Sequence, residues 1–195
     1  MLFRSTATWA ATPLLARNAK PHDPGQTANP ADPADIPGTV ALASPHDINT
    51  ALASAKPWNA PGAERGKILA RAADIYEENF GEIVALRARE AGKTQMDAVA
   101  ELREAVDFLR YYGANAPDAA PVGTFTCISP WNFPLAIFTG QISAALAAGN
   151  AVLAKPAEQT PLIAHLDVRL LHEAGVPRGA LQLLPGGGGI CAGLT

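Results

Sequence analysis

The stretch ISPWNFPLAIFTGQISAALAAGNAVLAKPAEQTP, residues 128–161, decides how this chain folds. Immediately before it, Thr124 to Ile128 is short, rich in β-formers and bounded by Gly123 and Pro130, so it reads as a strand. Leu135 to Ala148 is Ala-rich and apolar nearly all round, the pattern of a buried helix, and Gly149-Asn150 stops it. Ala151 to Ala154 is a second short apolar run. Pro161 to Ala174 follows as an amphipathic helix closed by Gly175. Leu181 to Leu184 is a third apolar run, closed by Pro185 and the glycines 186–189. Strand, helix, strand, helix, strand at this spacing predicts an α/β fold with a Rossmann-like βαβαβ parallel sheet. Right-handed crossovers would put both helices on one face of that sheet.

Working outward, Ser44-Pro-His-Asp47 supplies an N-cap signal for a helix over Ile48 to Lys56. From Glu64 to Gly92 the apolar residues Ile68, Leu69, Ala72, Ile75, Tyr76, Phe80, Ile83 and Val84 share one face of a continuous helical run. A second helix from Thr94 to Tyr112 turns Met96, Val99, Leu102, Val106, Leu109 and Tyr112 inward. On its other face Glu101, Glu104, Arg103 and Arg110 read as solvated charges. Pro21 to Pro37 is extended or turning chain. The expected division is a linker and extended N-terminal segment over 1–37 and an incomplete domain over 38–195.

The 195 residues are 48% hydrophobic and 17% charged, which places the chain among globular proteins. A net charge of −3 leaves no basic footprint and argues against nucleic acid as a partner. No stretch approaches the roughly 20 apolar residues that would cross a bilayer, and a soluble cytoplasmic protein is expected. Met1 to Lys20 is basic and free of acids, but Thr8, Thr12 and Pro13 interrupt its apolar residues. It reads as a surface linker or a truncation scar rather than a leader. Cys127 and Cys191 lack ligand spacing and read as reduced thiols. His22, His46, His165 and His172 lie apart and suggest no metal site.

Ligands of an open parallel sheet bind at the carboxyl ends of its strands. Two prolines stiffen the loop from Ile128 to Leu135, and Asn132 is its one uncharged amide donor, suited to an oxyanion. The alternative is that Asn132 satisfies loop backbone groups. Lys155 and Glu158 sit at the next strand-to-helix junction. Together they suit a ribose diol, and the carboxylate would repel a 2′-phosphate. The alternative for Glu158 is first-turn stabilisation of the following helix. Gly187-x-Gly189-x-x-Ala192 matches a phosphate-loop pattern formally, but the chain after it leaves no room for a helix, so a loop is expected there.

Taken together, the two loops closely resemble the segment of the aldehyde dehydrogenase superfamily that builds the first half of its NAD site. The resemblance rests on the PWNFP and KPAEQTP elements. It implies an oxyanion-hole role for Asn132, ribose contacts for Lys155 and Glu158, and a cofactor lining made by Ile128, Ser129, Pro130 and Trp131. NPADPADIPGTV (29–40), REAGKTQMDAVAELREAVDFLRYYG (89–113) and CISPWNFPLAIFTGQISAALAAGN (127–150) resemble the bifunctional proline utilization A branch, as does TWAATPLLA (8–16). That branch implies L-glutamate γ-semialdehyde as the small-molecule aldehyde substrate, NAD as acceptor and an oligomeric parent. FAD belongs there to a proline dehydrogenase domain absent from this sequence.

The family's nucleophilic cysteine and general-base glutamate would lie beyond Thr195, Cys127 is not that nucleophile, and Gly187 to Thr195 no longer resembles the family. Oxidation needs a thiolate to form the thiohemiacetal. The expectation is therefore an N-terminal fragment of an NAD-dependent semialdehyde dehydrogenase, inactive by itself. The alternatives are a catalytically dead nucleotide-binding or interaction module, or a fragment of another aldehyde dehydrogenase.

Overall fold

The computed structural model describes residues 6–17, 19 and 23–195. Arg4, Lys20, Pro21 and His22, which entered the sequence reading, lie outside the described residues. Strands β1 (Trp9–Ala11), β2 (Gly25–Thr27) and β3 (Gly38–Val40) form a small sheet of order β1-β3-β2. Two of its strands thus come from the segment expected to be a linker. Strands this short have no periodicity to read, and their pairing is supplied by contacts distant in sequence. Arg89 helps fix the segment, holding Asp35 with two nitrogens and lying over the Trp9 ring, 5.4 Å from its centroid.

Helices α1 (Pro45–Ser54), α2 (Gly62–Glu78), α3 (Phe80–Glu90) and α4 (Gln95–Ala114) follow. A capping box starts α1, with Ser44 and Asp47 satisfying each other's backbone amides. The run expected to be one helix is two. Asn79 divides α2 from α3, its side chain donating to the Ile75 carbonyl at 2.8 Å, because a short amide competes for backbone groups and ends the turn. Met96, expected inside, is exposed in the first turn of α4.

The second sheet matches its expected outline. Strand β4 (Thr124–Ile128), helix α5 (Ala136–Ala147), strand β5 (Ala151–Lys155), helix α6 (Pro161–Ala174) and strand β6 (Leu181–Leu183) build a parallel sheet of order β4-β5-β6. Val152 and Ala154 share one core with Phe138 and Ile142 of α5 and Leu166 and Leu170 of α6. Both crossover helices therefore cover one face, as right-handed connections require. Helices α2, α3 and α4 form a further layer over them.

The opposite face carries Leu153 and Leu184 against Ile48 and Ala51 of α1. Gln182 is buried there, donating to the Ala51 carbonyl and accepting from the Ala16 amide, both at 2.9 Å. On this face lies an element the sequence did not suggest. Gly188–Leu194 is a helix, α7, not a loop. Its glycines are poor helix formers, but Ile190 and Leu194, one turn apart, reach the α1 side of the sheet and bury. Tertiary docking overrides propensity here. Among the described residues no helix is long and apolar enough to cross a membrane.

Candidate functional site

The parallel register sets Ile128, the last residue of β4, opposite Lys155, the last residue of β5. That single pairing gathers the loop 129–135 and the loop 156–160 at one carboxyl edge of the sheet. The Ser129 amide donates to the Lys155 carbonyl at 3.2 Å, and its hydroxyl donates to Gln141 Oε1 at 3.1 Å, so the first loop leaves the sheet in a fixed direction.

Asn132 is exposed, and its side-chain amide bonds no described residue. The use of Asn132 as a backbone-satisfying loop residue is therefore not realised. The donor points to no internal acceptor and is available to a ligand. Trp131 and Phe133 flank it, both substantially exposed.

Lys155 is buried along its stem, and strand alternation puts it with Leu153 on the α1/α7 face. It forms no ion pair with Glu158 or with any other described residue. Glu158 is exposed and stands two residues before Thr160, the N-cap of α6, whose first turn holds no acid. The first amides of α6 are held by Glu90, buried at the end of α3, whose side chain accepts from the Leu162 and Ile163 amides at 2.6 and 2.9 Å. Glu158 itself makes no hydrogen bond or ion pair with a described residue. Together with Trp131, Thr27, Glu90 and Thr160 it lines a cavity of about 520 Å³.

The glycine run after β6 completes the edge. A Cβ placed on Gly187 would stand 2.6 Å from Glu158 Oε2, so any larger residue would displace that carboxylate. Gly187 thus gives the Glu158 carboxylate clearance, and α7 begins at the next residue. A nucleoside fits these residues by their chemistry: an unpaired ammonium, an unpaired carboxylate and an exposed indole at the mouth of one sheet.

Two buried glutamates escaped the sequence reading. Glu101, expected on a solvated face of α4, is 2% exposed. It accepts from the Leu135 and Ala136 amides at 2.8 and 3.2 Å, capping α5, and pairs with Arg87 and with Lys93. Glu90 does the equivalent work for α6 without a cation. Burial pushes its carboxyl up to about 8, desolvation outweighing the two amide donors. Arg65 holds the other end of α5 through the Ala147 carbonyl at 3.0 Å, complementing the helix dipole. A signal existed for the glutamates: each stands within its helix's apolar stripe, Glu101 between Ala98 and Leu102, and Glu90 one turn after Leu86. A charge at such a position is buried or breaks the stripe.

Cys127 faces the α5 core, and burial pushes its thiol up to about 11, away from any thiolate chemistry. Cys191 sits on α7, and both are free thiols.

The sequence model of the aldehyde dehydrogenase family matches residues 18–194. The match runs through α7, so the tail from Gly187, expected to depart from the family, stays within it as far as Leu194. The chain is 52% identical over 191 residues to bifunctional protein PutA of Escherichia coli strain K12, covering 92% of this chain and 14% of that protein. It is 38% identical over 185 residues to a 1-pyrroline-5-carboxylate dehydrogenase of Geobacillus thermodenitrificans, covering 83% and 36% respectively. Among solved structures, 1-pyrroline-5-carboxylate dehydrogenase from Thermus with bound NAD superimposes with a TM-score of 0.88 at 30% identity, over 96% of this chain and 41% of that one. The chain thus spans about a seventh of the bifunctional relatives and just over a third of the single-function ones.

Proposed function

The chain belongs to the aldehyde dehydrogenase family, and from that premise we propose that its 195 residues are the NAD-holding part of an L-glutamate γ-semialdehyde dehydrogenase. The observation that carries the reading is the Ile128–Lys155 pairing. It supports the reading because the loops carrying Asn132 and Glu158 and the end of the strand carrying Lys155 then share one carboxyl edge of a parallel sheet, where such sheets bind ligands.

In this reading Lys155 and Glu158 hold the two hydroxyls of the adenosine ribose, the lysine donating and the carboxylate accepting. Glu158 disfavours a 2′-phosphate by charge, which selects NAD over NADP. Ile128, Ser129, Pro130 and Trp131 line the rest of the cofactor's path. Asn132 donates to the oxygen that gains negative charge when the aldehyde carbon becomes tetrahedral. NAD, when bound, accepts the two electrons of aldehyde oxidation.

The substrate assignment follows the named relatives, PutA and 1-pyrroline-5-carboxylate dehydrogenase. Glutamate is the product. Oxidation by this route needs a thiolate beside the aldehyde. Cys127 is buried in the core against α5, and Cys191 lies on α7. The 195 residues alone therefore give no semialdehyde turnover.

Titration with NAD, followed by intrinsic tryptophan fluorescence, tests the reading. Saturable quenching is expected, weakened about tenfold or more by Lys155→Ala, since a hydrogen bond to a charged group contributes about 1.5–3 kcal/mol. NADP should bind less tightly, and Glu158→Gln should narrow the gap. Equal response to NAD in the unaltered and Lys155→Ala chains would remove the ribose assignment.

A further inference from the structure

The loop that carries Asn132 is held from beneath by side chains of the helical layer, far away in sequence. Its entry is fixed at Ser129, through the Lys155 carbonyl and Gln141. Its exit is fixed at Leu135 and Ala136, whose amides both donate to Glu101 Oε1. Glu101 in turn is held by Arg87, which also donates to the Ala98 carbonyl at 2.6 Å. Between these anchors lie Pro130, Trp131, Asn132, Phe133 and Pro134.

One side chain reaches into that interval. The Lys93 ammonium stands 4.4 Å from the centre of the Phe133 ring and 3.3 Å from Glu101 Oε2. It links the residue next to Asn132 to the carboxylate that holds the end of the loop. A cation over an aromatic face fixes the ring's direction, and the ring's Cα is the immediate neighbour of the Asn132 backbone. The two prolines remove much of the remaining backbone freedom.

We propose that Lys93 and Glu101 are positioning residues that set the orientation of the Asn132 amide by clamping Phe133 and the start of α5. The proposal rests on the oxyanion role given to Asn132 above. An oxyanion donor acts only when fixed within a few tenths of an ångström of the developing charge, so the clamp serves the donor's direction rather than the chain's stability. Lys93 is suited to this because Glu101 keeps Arg87 when Lys93 is removed, and no buried charge is stranded.

The test uses the full chain labelled with ¹⁵N. In Lys93→Met, backbone order parameters over 131–133 are expected to fall from about 0.85 to below about 0.6. The Asn132 side-chain amide signal is expected to narrow and shift, while β5 residues keep their values and the melting temperature is unchanged. Lys93→Arg, which restores a cation able to stack on the ring, should return both readouts. In Glu101→Gln, amide exchange at Leu135 and Ala136 should rise tenfold or more; if that variant fails to fold, the Lys93 pair carries the test.

An unchanged Asn132 signal in Lys93→Met, or Lys93→Arg behaving like Lys93→Met, overturns the clamp. NAD titration separates this from the functional reading. The Lys155–Glu158 grip does not involve Lys93, so Lys155→Ala should weaken NAD binding while the order parameters over 131–133 stay as in the unaltered chain. Loss of NAD response in the unaltered chain, with the loop still loosening in Lys93→Met, would support the clamp and count against the dehydrogenase reading.

Discussion

The two crossover helices are started in the same way and charged in different ways. Neither α5 nor α6 has a side-chain N-cap of its own, and each instead donates two backbone amides to a buried glutamate from the helical layer. Glu101 does this for α5 with Arg87 and Lys93 beside it. Glu90 does it for α6 with backbone amides as its partners, and burial raises its carboxyl to about 8. The geometry of capping is therefore shared, whereas Glu101 has two cations beside it and Glu90 has backbone donors alone. The helix that leads out of the Asn132 loop has an electrostatically closed start. The one that follows Glu158 has a start that titrates.

Removing Glu101 is the strongest way to break that comparison. Glu101→Ala leaves the Arg87 guanidinium buried without its partner, and breaking a buried pair from one side costs about 3–5 kcal/mol. Urea denaturation should show a large drop in midpoint. Adding Arg87→Met should recover part of it, because the stranded charge goes with the arginine. No recovery would mean that capping of α5, not charge compensation, dominates.

Glu90 gives the second contrast. Its folded carboxyl titrates near 8 and the unfolded one near 4.5, so between these values the folded chain holds the extra proton. Its contribution to stability is thus fully present below about 4.5 and is lost as pH rises through about 8. Denaturation midpoints compared between pH 7 and pH 8.5 should fall in the unaltered chain and fall less in Glu90→Gln. Parallel slopes for the two chains would show that Glu90 stays ionised at neutral pH.

The smallest effect is expected where the ions are wet. Arg110 pairs with Asp74 and Glu77 across α2 and α4, and all three are exposed. Arg110→Ala should cost about 0–1 kcal/mol and lose that cost in high salt. A larger, salt-resistant loss would place Arg110 in the same class as Arg87.

Much of this was legible in the chain itself. The strand over 124–128 and the helix over 161–174 were readable to the residue, because apolar period, Pro and Gly punctuation and helix length all agree there. Asn132, Lys155 and Glu158 were nominated by residue type and by their place after strand ends, which the Ile128–Lys155 register brings to one edge of the sheet. Their alternatives were not decidable, since a free amide and a capping asparagine look alike in sequence. Only the structure showed that α6 takes its capping carboxylate from Glu90 and that Glu158 stands before its first turn.

The sequence by itself determined the order of elements, the parallel second sheet and the face its crossovers cover, because these follow from local periodicity and chain handedness. Tertiary structure alone decided the rest. Pairing between distant residues made strands of Trp9–Ala11 and Gly25–Thr27. Docking on α1 made a helix of a glycine-rich tail. Packing of the helical layer buried Glu101, read as a surface charge, together with Glu90, and made them the caps of α5 and α6. In each case the deciding partner lies many residues away, where no window along the chain can see it.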